Sequence, residues 1–127
     1  MRSVKATLTE QELEIMKVIW SLETATVRQV YETLLERRRI AYTTVMTMMG
    51  TLEQKGRLAK TTSERAYVYT AVEPHRKVVA NMVRDFVKRV FDGSAKPLLV
   101  HLLEDRQINR KELDELLDTL KKKRGKL

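Results

Sequence analysis

The chain has 127 residues, 43% of them hydrophobic, with no cysteine and a net charge of +8. This length fits one ordinary domain or two very small ones, and the lack of cysteine excludes disulfides, thiolate zinc sites and cysteine nucleophiles. Because no apolar run approaches the roughly 18 residues of a membrane span and the first residues lack the apolar core of a signal peptide, we expect a soluble, cytoplasmic protein without a membrane partner.

The first two helices are marked by their capping residues. In LTEQELEIMKVIW, Thr9 and Glu12 have the spacing of a capping box, and in TVRQVYETLLERR, Thr26 and Gln29 repeat it. Apolar residues then recur at helical spacing in both segments, so each helix is expected to bury one face. The expected buried stripe of the second helix is Val27, Val30, Tyr31, Leu34 and Leu35.

A third helix is predicted from about Ala41 to Lys55, with Gly56 as its C-terminal glycine. Its apolar residues fall on one side and most of its hydroxyls on the other. The apolar side comprises Ala41, Tyr42, Val45, Met48, Met49 and Leu52; Thr43, Thr47, Gly50 and Gln54 lie opposite, flanked by Thr44, Met46 and Thr51. Threonine is a mediocre helix former because its branched side chain is stiff and its hydroxyl competes for backbone hydrogen bonds. This hydroxyl face therefore indicates a function rather than a contribution to helix stability.

Positive charge is concentrated around this helix. Residues 37–65 contain 7 Lys and Arg against 2 Glu, whereas residues 1–36 contain 4 against 6. A focused basic segment is typical of proteins that bind a polyanion, most often a nucleic acid, although a solvated surface has the same composition. Five more Lys and Arg lie in residues 121–126, where we expect a solvated tail.

A change to alternating β-branched and aromatic residues predicts a β-hairpin with strands at 58–62 and 66–71. Tyr67 and Tyr69 share a face of its second strand and are expected to pack the hairpin on the helices rather than stack on bases. Three helices followed by a hairpin is the winged helix-turn-helix arrangement, in which the third helix enters the major groove.

Three more helices are predicted after the hairpin. Pro74 begins the first, Ser94 caps the second, and Asn109 with Glu112 forms a capping box on the third. Their apolar stripes are too wide for so short a segment to cover, so we expect them to pack against a second copy of the chain. The expected dimerisation residues are Val79, Met82, Val83, Phe86, Val90, Leu102, Leu113, Leu116, Leu117 and Leu120.

The predicted fold is therefore mainly α, with an N-terminal winged helix-turn-helix in residues 1–73 and an all-helical dimerisation domain in residues 74–127. Threonine hydroxyls can bond phosphates or bases, and a threonine or methionine methyl can contact thymine, so the expected partner is double-stranded DNA. The expected DNA contacts are Arg38, Arg39, Thr43, Thr44, Met46, Thr47, Thr51, Lys60 and Arg65.

Four segments carry a resemblance to a known family: LTEQELEIMKVIW, TVRQVYETL, AYTTVMTMMGTLEQKG and RAYVYTAV. They are similar to the penicillinase-repressor and methicillin-repressor (BlaI/MecI) family of winged-helix transcriptional repressors. The resemblance implies a homodimer on a pseudo-palindromic operator, with the threonines at 43, 44 and 47 facing DNA. The family commonly has Arg where this chain has Thr51. A regulatory protease is a further implied partner, and the family's cleaved Asn–Phe pair aligns with His101–Leu102.

Other functions find less support in the sequence. No phosphate loop, nucleophile elbow or zinc-protease motif is present, so we predict no enzymatic activity and no cofactor. His101 has Glu104 and Asp105 at ligand spacing but no third strong ligand, so we predict no metal site. The alternative is a winged-helix protein-interaction module whose basic face binds an acidic partner protein; the exposed threonines favour DNA.

Overall fold

The computed structural model describes residues 7–125; residues 1–6 and 126–127, which include Lys126 of the basic tail, lie outside this range. The elements in chain order are α1 (Glu10–Leu22), β1 (Thr24–Ala25), α2 (Val27–Leu35), α3 (Tyr42–Gln54), β2 (Leu58–Ser63), β3 (Ala66–Ala71), α4 (His75–Phe91), α5 (Lys96–Glu104) and α6 (Arg110–Gly125). The predicted fold, a winged helix followed by a helical C-terminal segment, is confirmed.

Capping boxes mark where three of the six described helices begin. The Thr9 hydroxyl accepts the Glu12 N–H at 3.1 Å, and the Glu12 carboxylate accepts the Thr9 N–H at 2.9 Å. The predicted boxes of α2 and α6 form in the same way. The prediction for α5 is wrong: Ala95, not Ser94, is its N-cap residue and makes no side-chain cap hydrogen bond.

The sheet has one strand more than the hairpin. β3 lies in the middle, paired antiparallel with β2 along its whole length and with the two-residue β1 through Thr24–Thr70 and Ala25–Tyr69. The third strand was missed because two residues are too few to show an alternating pattern. By pairing with β3, it joins the α1–α2 connection to the wing.

The hydrophobic core lies between α1, α2, α3 and the sheet. Its fully covered side chains are Ile19, Val30, Leu34, Val45, Met49 and Leu52. Two large residues expected in this core are exposed instead, Leu35 at 43% and Tyr42 at 36%. They lie in the last turn of α2 and the first turn of α3, where the helix ends are covered only in part.

The chain forms two compact units, the first ending at Met82 and the second beginning at Val83. Val78 is buried in the core of the first unit, and Met82 packs against that core. The Trp20 indole N–H donates to the Glu73 carbonyl at 3.0 Å, which fixes the start of α4 on α1. Met82, which we expect at a dimer interface, is half-buried and packs against the core of the first unit, because α4 continues along this core beyond residues 73 and 74.

The second unit has no buried core of its own. Among its described residues, Val83 to Gly125, no side chain is buried. Its most exposed large apolar residues are Val83, Phe86, Val90, Leu99, Val100, Leu103, Leu116, Leu117 and Leu120, whereas Leu102 and Leu113 are half-buried. No helix among residues 7–125 combines the length and apolar character that crossing a bilayer requires.

Candidate nucleic-acid interface

The third helix separates its two faces as the sequence predicts. Val45, Met49 and Leu52 are completely buried against the core, and Met48 packs at its edge. The opposite face is exposed and carries Thr43, Thr44, Met46, Thr47 and Thr51. The core thus supports α3 from behind and leaves its hydroxyl face open to a ligand.

The hydroxyls on this face are not equivalent. Thr51 Oγ1 donates to the carbonyl oxygen of Thr47, one turn earlier in the same helix, at 3.1 Å. Among residues 7–125, the hydroxyls of Thr43, Thr44 and Thr47 make no such bond and keep both donor and acceptor capacity. Thr51 can therefore only accept a hydrogen bond from a ligand, while the other three can also donate.

A cluster at the start of α3 was missed in the sequence. The Tyr42 ring meets the Tyr31 ring edge-on at a centroid distance of 5.4 Å, and the Arg28 guanidinium lies 5.4 Å from the Tyr42 centroid. Helical periodicity assigned Tyr42 to the core, although the first turn of a helix has no preceding turn beside it. The cluster brings the positive charge of α2 to the end of α3 where the hydroxyl face begins.

The basic residues before α3 differ in how they are held. Arg38 binds the Glu14 carboxylate through two nitrogens, at 2.8 and 3.4 Å. The hydrogen bond from Arg38 outweighs the opposing effect of burial and lowers the pKa of Glu14. Arg37 and Arg39 are exposed and form no ion pair with any described residue.

The wing carries the other two predicted cationic contacts. Lys60 Nζ lies 3.4 Å from the Glu53 carboxylate of α3 and 4.4 Å from the ring centroid of Tyr67. Arg65 is exposed at the hairpin turn, next to Glu64, which has a φ of 56°. Tyr69 is buried and packs the hairpin on the helices as predicted, but Tyr67 is 56% exposed and contacts Lys60 instead.

The C-terminal end of α3 is fixed by a tight stop and a nearly buried ion pair. Gly56, with a φ of 79°, donates its N–H to the Glu53 carbonyl, and the Arg57 N–H reaches the Leu52 carbonyl, as in a Schellman motif. Lys55 Nζ lies 2.8 and 3.0 Å from the two Glu12 carboxylate oxygens. One carboxylate thereby joins the N-terminus of α1 to the C-terminus of α3.

We expect Lys55→Met to lower the free energy of unfolding by about 2 kcal/mol, because the Glu12 charge then stays buried without its cation. The matched control is Lys122→Met, which removes an exposed i,i+4 pair with Asp118 at 3.4 Å and should cost less than about 0.5 kcal/mol. Urea denaturation measures both. Equal effects in the two variants would show that the buried pair contributes no more than the surface pair.

The same pair predicts an acid dependence of stability. Burial raises the pKa of Glu12, but the hydrogen bonds from Lys55 and from the Thr9 N–H outweigh it, so the pKa lies below its usual 4.5. A carboxyl with a lowered folded-state pKa stabilises the fold above the unfolded pKa, and this contribution is lost as the pH falls through the folded value. In Glu12→Gln the loss of stability below about pH 4.5 should be smaller than in the wild type.

Among the described residues, no group of three or more His, Asp or Glu side chains is arranged to hold a metal ion. His101 instead stacks near Phe91, at a centroid distance of 5.8 Å. The chemistry of the open face of α3 is thus that of hydroxyls, methyl groups and nearby cations.

Comparison with known proteins identifies relatives that are named as regulators. The chain is 37% identical over 111 residues to the transcriptional regulator BlaI of Mycobacterium tuberculosis, covering 86% of this chain and 79% of that protein. It is 26% identical over 119 residues to the penicillinase repressor of Bacillus licheniformis, covering 94% and 93%. The solution structure of the DNA binding domain of the repressor BlaI matches with a TM-score of 0.52 and 29% identity, over 59% of this chain and 90% of that domain.

These relatives are transcriptional regulators rather than enzymes. The family model described as penicillinase repressor matches residues 8–122, which include every described helix and strand from α1 to most of α6. The chain therefore belongs to the penicillinase repressor family.

Proposed function

We propose that the chain is a homodimeric transcriptional repressor of the cytoplasm that binds a pseudo-palindromic DNA operator through α3 and the wing of each subunit. The observation that carries this proposal is the open hydroxyl face of α3, held from behind by three completely buried side chains and preceded by exposed arginines. Short polar side chains on a rigid helix are suited to the major groove, where hydroxyls and methyl groups meet base edges.

We assign base contacts to the side chains that are free to make them. Thr43, Thr44 and Thr47 can donate to or accept from base edges, and Met46, which is 47% exposed, can contact a thymine methyl. Thr51 can accept only, because its proton is bonded to the Thr47 carbonyl. In this role it suits an amino group of adenine or cytosine rather than a phosphate.

We assign the strongest phosphate contacts to the cations that form no ion pair with another described residue. Arg39 and Arg65 are exposed and can bind phosphates directly, which positions the protein without reading sequence. Arg38 must exchange Glu14 for a phosphate, and Lys60 must exchange Glu53, so their net contributions are smaller. Arg28 of α2, whose guanidinium lies 5.4 Å from the ring centroid of Tyr42, is a further cation near the start of α3.

Dimerisation through the second unit is supported by its lack of a buried core. A unit with no buried side chain among its described residues and with exposed Phe86, Val90, Leu116, Leu117 and Leu120 needs a partner surface to remove these groups from water. A second copy presents the same apolar surface, as a two-fold interface requires. Two winged helices in one dimer would bind half-sites about 34–36 Å apart or a multiple of this distance.

A regulatory protease acting at His101–Leu102 would have to open α5 first. Both residues lie within this helix, between Lys96 and Glu104. Proteolysis acts on locally opened chain, so release by this route depends on how easily α5 unfolds.

Selection from a pool of random-sequence DNA duplexes tests the proposal. A repressor should enrich a two-fold symmetric motif and prefer it to unrelated DNA by at least about 10³-fold. A protein-interaction module would enrich no sequence, and this outcome would contradict the repressor assignment.

We expect Thr43→Ala or Thr47→Ala to reduce discrimination at one base position by roughly 1–3 kcal/mol, because a base-edge contact is lost. Arg39→Ala should instead weaken binding to all sequences about equally, because phosphates carry no sequence information. Titration of each variant with the selected duplex and with single-base substitutions distinguishes these roles. The assignment of base contacts to the threonines and phosphate contacts to Arg39 would be contradicted if Arg39→Ala changed base preference and the threonine variants did not.

A further inference from the structure

Gly50 lies in the interior of α3, yet nothing inside the protein requires a glycine there. A Cβ added at this position would meet no atom within 4 Å, so packing does not exclude a side chain. Positive φ values occur at Gly56 and Gly93 but not at Gly50, so the backbone does not require glycine either. Because glycine inside a helix is destabilising relative to alanine, the chain carries a residue that weakens α3.

The position of Gly50 on the surface of α3 indicates that the glycine serves binding rather than folding. Thr47 precedes it by one helical turn and Thr43 by two, so the three residues follow one another along the open face of α3. At a rise of 1.5 Å per residue, Gly50 lies about 10 Å along the axis from Thr43. The hydroxyl of its neighbour Thr51 is turned back toward the Thr47 carbonyl. The side chain next to Gly50 therefore projects little from the helix surface.

The dimensions of the major groove leave little clearance for a side chain here. The groove is about 12 Å wide and 8.5 Å deep, and a helix with its side chains is about 10–12 Å across. Threonine is short, so Thr43 and Thr47 reach base edges only if the helix axis lies deep in the groove. A side chain at position 50 that is longer than those of Thr43 and Thr47 would meet DNA first and hold the axis away.

We propose that Gly50 is a specificity-determining residue, whose missing side chain lets α3 enter the major groove deeply enough for Thr43 and Thr47 to contact bases. This inference rests on the proposed DNA-binding function. It predicts that substitutions at Gly50 act in opposite directions on folding and on binding, which a merely structural glycine does not do.

The experiment compares Gly50→Ala and Gly50→Leu in the full chain, using a duplex selected by the wild-type protein and a shuffled duplex of the same composition. Both residues are better helix formers than glycine, so Tm should rise by about 2–5 °C. The Kd for the selected duplex should increase about 100-fold for leucine and by much less for alanine, whose methyl group is shorter than a threonine side chain, while binding to the shuffled duplex changes little. Gly125→Ala, at the end of α6, is the matched control and should leave the affinity unchanged.

The possible failures can be told apart. If the wild-type protein selects no duplex, the proposed function itself is wrong. If it selects a duplex and the Gly50 variants bind it as tightly as the wild type, only the role of Gly50 is wrong. Equal losses for alanine and leucine would indicate that helix flexibility matters rather than side-chain volume, and a fall in Tm would show that folding requires the glycine; either result overturns the inference.

Discussion

Replacing Phe86 or Leu116 with aspartate is expected to abolish tight operator binding, although neither residue belongs to the proposed DNA-binding face. Phe86 is 41% exposed and Leu116 is 56% exposed in the single chain, and both lie in the unit that has no buried core among its described residues. If these side chains are covered by a second copy, a charged carboxylate at either position costs several kcal/mol of desolvation at the interface. The dimer should then dissociate.

Dissociation of the dimer removes the advantage of two linked binding sites. In the proposed dimer the second half-site contact would be intramolecular, which would increase the apparent affinity by roughly 10²–10⁴-fold. A monomeric variant should fall to the weak affinity of one winged helix. Sedimentation measures the mass, and titration with the selected duplex measures the affinity.

Lys111→Ala is the matched control for charge. It changes the net charge by −1, as Leu116→Asp does, and it lies in the same helix at an exposed polar position. This variant should stay dimeric and bind normally apart from a small electrostatic effect. A Leu116→Asp protein that is monomeric yet binds as tightly as the wild type would contradict the dimeric-repressor proposal.

A steep salt dependence is the second large effect that we expect. Residues 37–65 carry a net charge of +5 in each chain, and the proposed dimer would present this segment twice. If roughly six phosphates are neutralised, the affinity should fall on the order of 10³-fold between 50 and 200 mM salt. Titrations across this range measure the slope of log K against log salt.

The slope also tests which cations bind phosphates. Arg39→Ala and Arg65→Ala should each reduce the magnitude of this slope by about 1 for every phosphate contact that is lost. Arg38→Ala should have a smaller effect, because its guanidinium is bound to Glu14 in the free protein. An affinity that hardly changes with salt would count strongly against DNA as the partner.

The sequence by itself determined the local features of the fold. The capping boxes at Thr9, Thr26 and Asn109 each need only residues three positions apart, so they could be predicted and are present. The division of α3 into a buried and an open face also follows from helical spacing within one segment. The glycine stop at Gly56 is local in the same way.

Tertiary structure decided which polar groups remain available and where the first unit ends. Arg38 meets Glu14 across 24 residues of sequence, and Lys55 meets Glu12 across 43. Neither pair is visible in the sequence, because each depends on how α1 packs against the elements that follow it. The packing of Met82 against the first unit's core and the pairing of the short strand β1 also depend on residues far away along the chain. A pattern of hydrophobic residues shows that a side chain will be covered but not which element will cover it.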